Sequence, residues 1–353
     1  MKLPFPGGGF VDIIATLKKK SIRNKGITGE DAWRLVEAGS RRPFVLMAAA
    51  GEIRDHFHGR TISLCTALDI KAGECGEDCA FCLQSVHYRN KPVPRPMKRA
   101  GEIVAAATAA AGEGCERCGL VARGRGPWAR KEWAALLRAV EEIGKTGLMP
   151  CASLGILTPE RARALREAGL ERYHHQLAVS RGYFPRVCTT HAYDEEVETL
   201  RVARDAGLSL CAGGMFGLGE GLTQRMELAM TLKELGVEAV SLTMATPVSG
   251  SPLAGRPAPP PLELLISLAL WRFLLPDREI RLGGGKEKHL RRLLPLGIMA
   301  GANALRLDGN EIPPVMTPET VREMIGDLGF RPSREAVHVC KCLGDCSPEE
   351  EQG

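Results

Sequence analysis

An excess of one charge sign is missing from this 353-residue chain: 47 lysines and arginines stand against 42 aspartates and glutamates, a formal net charge of +5. Apart from Lys18 to Lys20 and short Arg-rich pieces such as Arg291 and Arg292, the basic residues are scattered. No basic face for a phosphate backbone results, which argues against a nucleic-acid-binding protein. Long apolar runs are also missing. The longest, LELLISLALWRFLLP from Leu262 to Pro276, is broken by Glu263 and Arg272 and is too short to span a bilayer. The first twenty residues, MKLPFPGGGFVDIIATLKKK, are interrupted by Gly and Pro and lack the apolar core and small-residue cleavage site of a secretory signal. The expectation is a soluble, cytoplasmic protein with no membrane partner. Internal repeats are absent, and low complexity is confined to the Pro-rich GRPAPPPLE, Gly255 to Glu263.

What is present is an ordinary globular balance, 44% hydrophobic and 25% charged, enough for one large α/β barrel or two average domains. Cysteine is plentiful. Twelve of them in a reducing compartment point to metal or redox chemistry rather than to disulfides.

From about Thr61 onward, short apolar runs alternate with longer amphipathic ones, many of the former following a helix-ending glycine. The candidate strands are TISLCTAL, RCGLVA, LMPCASLG, LERYHHQLA, LSLCAGGMFG, VEAVSLTMA, EIRLGG and ANALRLDG. Helix starts are marked by Thr158 before Pro159 and Thr317 before Pro318. Eight strand–helix units with right-handed crossovers predict an α/β fold, a (β/α)8 TIM-type barrel with chemistry at the carboxyl ends of its strands. Residues 1–60 read as a helical extension, 61–329 as the barrel and 330–353 as a Cys-bearing tail with an acidic end.

Cys75, Cys79 and Cys82 follow the first candidate strand in the pattern CxxxCxxC, inside GECGEDCAFCLQS. Structural zinc sites usually draw four ligands from two separated pairs; this cluster supplies three. A four-iron, four-sulfur cubane held by three thiolates keeps one iron open to bind a small molecule. With Phe81 directly before the last cysteine, the segment resembles the signature of radical S-adenosylmethionine enzymes. GGMFGLGE resembles that superfamily's GxIxGxxE pattern, with Met215 at the Ile position, and implies contacts to the adenosyl group from Gly213, Gly214, Gly217 and Glu220.

Longer stretches resemble the biotin synthase family: GECGEDCAFCLQSVHY, the run from Tyr173 to Glu220, SGSPLAG, IRLGGGKE and MAGANAL. The resemblance implies reductive cleavage of S-adenosylmethionine to a 5′-deoxyadenosyl radical, hydrogen removal from two carbons of dethiobiotin, and sulfur supplied by an auxiliary iron–sulfur cluster. It implies an electron donor such as flavodoxin or ferredoxin, and a homodimer. The auxiliary cluster of the well-known form has three cysteines and one arginine. Cys151, Cys211 and Arg281 match three of these. At the fourth position stands Gly119, with Cys118 one place earlier. A one-residue offset turns a strand side chain to the other face, so either a bulge restores Cys118 to the interior or the ligand is lost; loss is the expectation.

Against that loss stand extra thiols, Cys188 in RVCTTHAY and Cys340, Cys342 and Cys346 in HVCKCLGDC. They form either a zinc-binding or redox-labile tail or, as the sharper expectation, part of a different, four-iron auxiliary cluster resembling that of variant enzymes from anaerobes. The substrate contacts depart too. Gln176 stands for the family Asn, Ala178 for an acidic residue and Thr243 for a second Asn. These changes motivate the alternative of a related radical enzyme acting on another small molecule, in metallocofactor assembly or amino-acid rearrangement. A non-catalytic iron–sulfur carrier is the rival from outside enzymology. His174 and His175 are neighbours in a candidate strand, so at most one faces inward; structural roles are expected for both.

Overall fold

The computed structural model of the chain describes residues 9–88, 94–125, 128–246, 249–307 and 316–334. Three helices come first: α1 (Phe10–Asn24), α2 (Gly29–Arg41) and α3 (Pro43–His58). Thr28 caps α2, its hydroxyl accepting from the Asp31 N–H at 3.2 Å. The barrel then alternates β1 (Thr61–Lys71), α4 (Ala100–Gly112), β2 (Arg117–Ala122), α5 (Arg130–Lys145), β3 (Met149–Ser153), α6 (Pro159–Glu167), β4 (Arg172–His174), α7 (Tyr193–Asp205), β5 (Ser209–Phe216) and α8 (Leu222–Glu234). It continues through β6 (Ala239–Met244), α9 (Pro261–Leu274), β7 (Glu279–Leu282), two short helices α10 (Lys286–Leu290) and α11 (Leu294–Met299), β8 (Ala304–Leu307) and α12 (Pro318–Asp327).

All eight expected strands form, parallel and in chain order, and β1 pairs with both β2 and β8, so the sheet closes. Thr158 and Thr317 cap α6 and α12 by accepting from the N–H groups of Arg161 and Thr320. A two-residue strand, β9 (Arg331–Pro332), pairs with Thr61 and Ile62 of β1, so ordered pairing runs slightly past the boundary expected at residue 329. Cys340, Cys342 and Cys346 lie outside the described residues.

Helix α9 explains the long apolar run. Every residue from Leu264 to Leu274 is buried, because α3 and the other N-terminal helices cover its outer face while α8 flanks it. A helix covered on all sides has no polar stripe. Its one cation, Arg272, is satisfied by carbonyls of Gly301, Pro276 and Arg278 and by Asn303 Oδ1 at 2.7 Å.

Candidate functional site

The loop after β1 turns back on itself. Cys75 N–H donates to Gln84 O at 2.7 Å and Cys82 N–H to Cys79 O at 2.9 Å. Asp78 and Glu77 fasten it to the segments after β2 and β4: Asp78 accepts from Thr189 N at 2.8 Å and from the Cys188 thiol at 3.2 Å, and Glu77 meets Arg125 of the first at 3.0 Å and His191 Nδ1 of the second at 2.7 Å. Burial would raise the Asp78 carboxyl, but the hydrogen bonds from Thr189 outweigh it and hold the group well below the usual carboxylate range.

Cys75, Cys79, Cys82, Phe81 and Gln176 thereby line one cavity of about 730 Å³ at the carboxyl ends of the strands. Burial first, then neighbouring thiols, push the Cys79 thiol up; such a crowd of thiols ionises together only around a cation. Both amide atoms of Gln176 are shielded from solvent and lack a hydrogen-bond partner among the described residues. Orphaned polar atoms of this kind call for a polar ligand. The donor set fits an iron–sulfur cluster, and the unpartnered amide fits a polar cofactor beside it.

A second cavity of about 590 Å³ lies deeper in the barrel, lined by Cys151, Cys211, Thr243 and Arg281 together with Cys65 and Gly119. Its cationic character is pronounced: Arg117, Arg172, Arg281 and Arg306 all line it. Glu279 at the base accepts from Arg281 at 2.6 Å, Arg117 at 3.0 Å and Arg172 at 3.1 Å. Burial would raise Glu279, but Arg281, Arg172 and Arg117 override it and bring it down to about 2. Arg281 Nε, buried, has no partner among the described residues. Burial pushes the Cys151 thiol up to about 12. Glu279 and, on Arg117, Glu116 at 3.3 Å answer part of this positive charge, and the cationic lining suits an anionic guest such as a thiolate-ligated iron–sulfur group.

The strand register sorts the inward residues into levels. Cys65 pairs with Arg117 and Arg117 with Met149, two residues short of Cys151. Cys151 leads through Arg172 to Ser209, two short of Cys211, and Cys211 through Ala239 to Glu279, two short of Arg281. Arg281 leads through Ala304 to Ser63, two short of Cys65. Four steps of two residues reproduce the shear of this barrel class, in which alternate strands contribute the four side chains of one layer. Cys65, Cys151, Cys211 and Arg281 therefore share a layer. The same count puts Gly119, His174, Ser241 and Arg306 in the next layer towards the carboxyl ends, and Ala67, Ser153, Gly213 and Gly283 above them. Bulky branched residues usually fill these positions; here His174 and Arg306 are the large side chains of the two layers, and the small residues beside them leave space over the thiols.

The register also decides between the two readings of Cys118. Pairing across Cys118 and Gly119 is continuous on both sides, and the irregularity in β1 falls between Asp69 and Lys71. Gly119 therefore faces the cavity and Cys118, fully buried, packs in the apolar core. Cys188 is not in the deep cavity. It lines the outer one, its Sγ 3.7 Å from that of Cys79, and these two sulfurs and a ring nitrogen of His191 lie within 4.8 Å of one another. His174 faces the deep cavity with Nδ1 3.1 Å from Cys211 Sγ, whereas His175 reaches the outer cavity and contacts Glu196. Burial first, then Arg281, brings His174 down to about 3.

The glycines of GGMFGLGE line neither cavity, and Glu220 is turned into its own loop, accepting from Gly217 N–H at 3.0 Å and Leu218 N–H at 2.8 Å and pairing with buried Arg225 at 2.8 Å. A Cβ on Gly213 would come within 1.9 Å of Ser241 O, so the residue is needed for close strand packing. Ala178, in the substrate segment, lines the outer cavity at φ +63°. Sequence reading missed Cys65, Arg117, Arg172 and Arg306. A single cysteine or arginine in a strand carries no sign of which face it occupies until the pairing is known.

A closed parallel barrel with a three-cysteine loop at its mouth defines the radical S-adenosylmethionine class. The Radical SAM superfamily matches residues 70–232, and the Biotin and Thiamin Synthesis associated domain residues 241–331. The chain is 42% identical over 313 residues to the biotin synthase of Pelotomaculum thermopropionicum, covering 88% of this chain and 97% of the relative. It is 40% identical over 316 residues to the biotin synthase of Geobacter sulfurreducens, covering 89% and 96%. This chain belongs to the biotin synthase family. Among solved structures, methylornithine synthase (PylB) superposes with a TM-score of 0.76 at 19% identity over 90% of this chain and 97% of that one. The hydrogenase maturase HydG superposes with 0.75 at 16% identity over 92% and 76%. These two share the fold. The family implies a four-iron, four-sulfur cluster and S-adenosylmethionine. Among the described residues no helix is long and apolar enough to cross a membrane.

Proposed function

We propose that the chain converts dethiobiotin to biotin by radical sulfur insertion, in the cytoplasm, using electrons from a flavodoxin- or ferredoxin-type donor. The observation that carries this is the stacking of two thiol-lined cavities along one barrel, the outer with Cys75, Cys79 and Cys82 and the inner with Cys151, Cys211 and Arg281. Bound, the outer cluster and adenosylmethionine supply a carbon radical able to take hydrogen from an alkyl carbon, and the inner cluster supplies sulfur.

The chain's own residues do the positioning. Phe81 and Gln176 bound the space beside the three thiols, and the Gln176 amide offers a donor and an acceptor to the adenosyl group or the substrate. Gly213, Gly214, Gly217 and Glu220 act through the backbone they shape, since Glu220 clamps the turn after β5. Thr243, on the wall of the inner cavity, is assigned a hydrogen bond to the substrate's ureido ring. Arg281, with an unpartnered Nε among the described residues, is assigned to the inner cluster. The barrel wall excludes water from a radical that would otherwise be quenched.

Anaerobic assay of reconstituted protein with dithionite, adenosylmethionine and dethiobiotin tests the reading. Biotin and 5′-deoxyadenosine are expected together. Deoxyadenosine without biotin would instead support a related radical enzyme acting on another small molecule, the reading that Gln176, Ala178 and Thr243 favour through their changed polar groups. Absence of adenosylmethionine cleavage would leave an iron–sulfur carrier.

A further inference from the structure

We propose that Cys65 is a thiolate ligand of the inner, sulfur-donating cluster, supplying from β1 what β2 no longer supplies at Gly119. The inference rests on the sulfur-insertion reading above. It starts from the register: Cys65, Cys151, Cys211 and Arg281 come from the four odd-numbered strands and occupy a single layer of the barrel. All four line the same cavity. Cys65 and Cys211 are 4% and 1% exposed, and neither is in a disulfide.

Three thiols spaced around one barrel axis can grip an object at the centre of the layer. Cys118 cannot join them, because its side chain leaves the barrel on the opposite face of β2. In the layer above, His174 and Arg306 reach in from β4 and β8 while Gly119 leaves β2 open, and the layer beyond is Ala67, Ser153, Gly213 and Gly283, so the space over the thiols opens on the β2 side, next to Cys65. Arg281 stands in the thiol layer with Nε unpartnered among the described residues, buried, and within electrostatic reach of Cys65 and Cys211. A core role for Cys65, as a small apolar filler, would not account for a cationic cavity with a thiol on three of four alternate strands.

The test compares full-length wild type, Cys65→Ala, Cys65→Ser, Cys118→Ala and Cys65→Ala/Gly119→Cys, each reconstituted anaerobically with iron and sulfide. The readouts are iron and sulfide per chain and the Mössbauer spectrum. Cys65→Ala is expected to lose the inner cluster's spectral component and fall to the outer cluster's content of about four irons. Cys118→Ala is expected to keep both components. A Cβ on Gly119 meets nothing nearer than Thr66 O at 3.4 Å, so a cysteine fits there. The double variant, which moves the thiol from β1 to β2, is expected to regain the lost iron.

Circular dichroism and the melting temperature separate cluster loss from misfolding, and Cys65→Ser, nearly the same size, takes the place of the alanine variant if that one does not fold. Wild-type iron and an unchanged spectrum in the Cys65 variants overturn the assignment while leaving the sulfur-insertion reading intact. Wild type that holds only about four irons, with no second component, overturns the sulfur-insertion reading itself and the Cys65 assignment with it.

Discussion

Ala178 sits at φ +63°, a conformation that places a Cβ close to the following carbonyl and costs an L-residue roughly 1–2 kcal/mol. Its neighbours hold it there: its carbonyl accepts from Met215 N–H at 2.7 Å, which bridges the segment after β4 to β5. Glycine adopts this conformation freely but loses more chain entropy on folding. Ala178→Gly is therefore expected to stabilise the fold by about 1 kcal/mol in denaturant unfolding, and an unchanged or lower midpoint would contradict the strain assigned here.

The helices and turns carry their own consequences. Glu220 closes the turn between β5 and α8, and both it and Arg225 are almost wholly buried. Removing one partner of such a pair strands the other charge, so Glu220→Ala is expected to cost about 3–5 kcal/mol, read as a lowered melting temperature. Arg225 keeps Glu263 at 2.8 Å and Ser267 at 3.0 Å, which places the damage at the lower end of that range.

At the end of α3, His58 Nε2 lies 3.3 Å from Arg272 of α9. Burial first, then Arg272, brings His58 from its ordinary 6.5 down to about 4. The unfolded chain then takes up the proton at a higher pH than the folded one. The stability tied to neutral His58 is complete above pH 6.5 and is lost as the pH falls towards 4. Between pH 7 and pH 5 the loss is about 2 kcal/mol. Unfolding curves at the two values should show it, and His58→Gln, which keeps an acceptor for Arg272, should flatten the difference; an equally steep dependence in the variant would refute the assignment.

At the scale of the whole molecule, the proposal extends to thiols beyond the described residues. Cys340, Cys342 and Cys346 were expected to help hold the auxiliary cluster, and replacing all three by Ala tests that part of the proposal. Iron falling from about eight to about four per chain is the expected result, whereas an unchanged content of about eight excludes the tail as a ligand source.

Much of this architecture was legible beforehand. RCGLVA coincides with β2 residue for residue, six of the other apolar runs each contain the strand that forms, and TISLCTAL falls short of β1, which continues to Lys71; burial inside a parallel barrel demands short apolar stretches between glycine-ended helices. CxxxCxxC was equally legible, since its three ligands are local in the chain. The inner site was not: Cys188, grouped in advance with the tail thiols, belongs to the outer cavity, and Cys65 drew no notice at all.

The chain alone therefore determined the strand and helix alternation, the three-cysteine loop and the likeness to a sulfur-inserting family, all carried by spacing along the backbone. Only the closed sheet decided which thiols share a layer. Its stagger brings together residues from four separate strands, and a side chain's level around a barrel depends on the accumulated offset of every pairing between them.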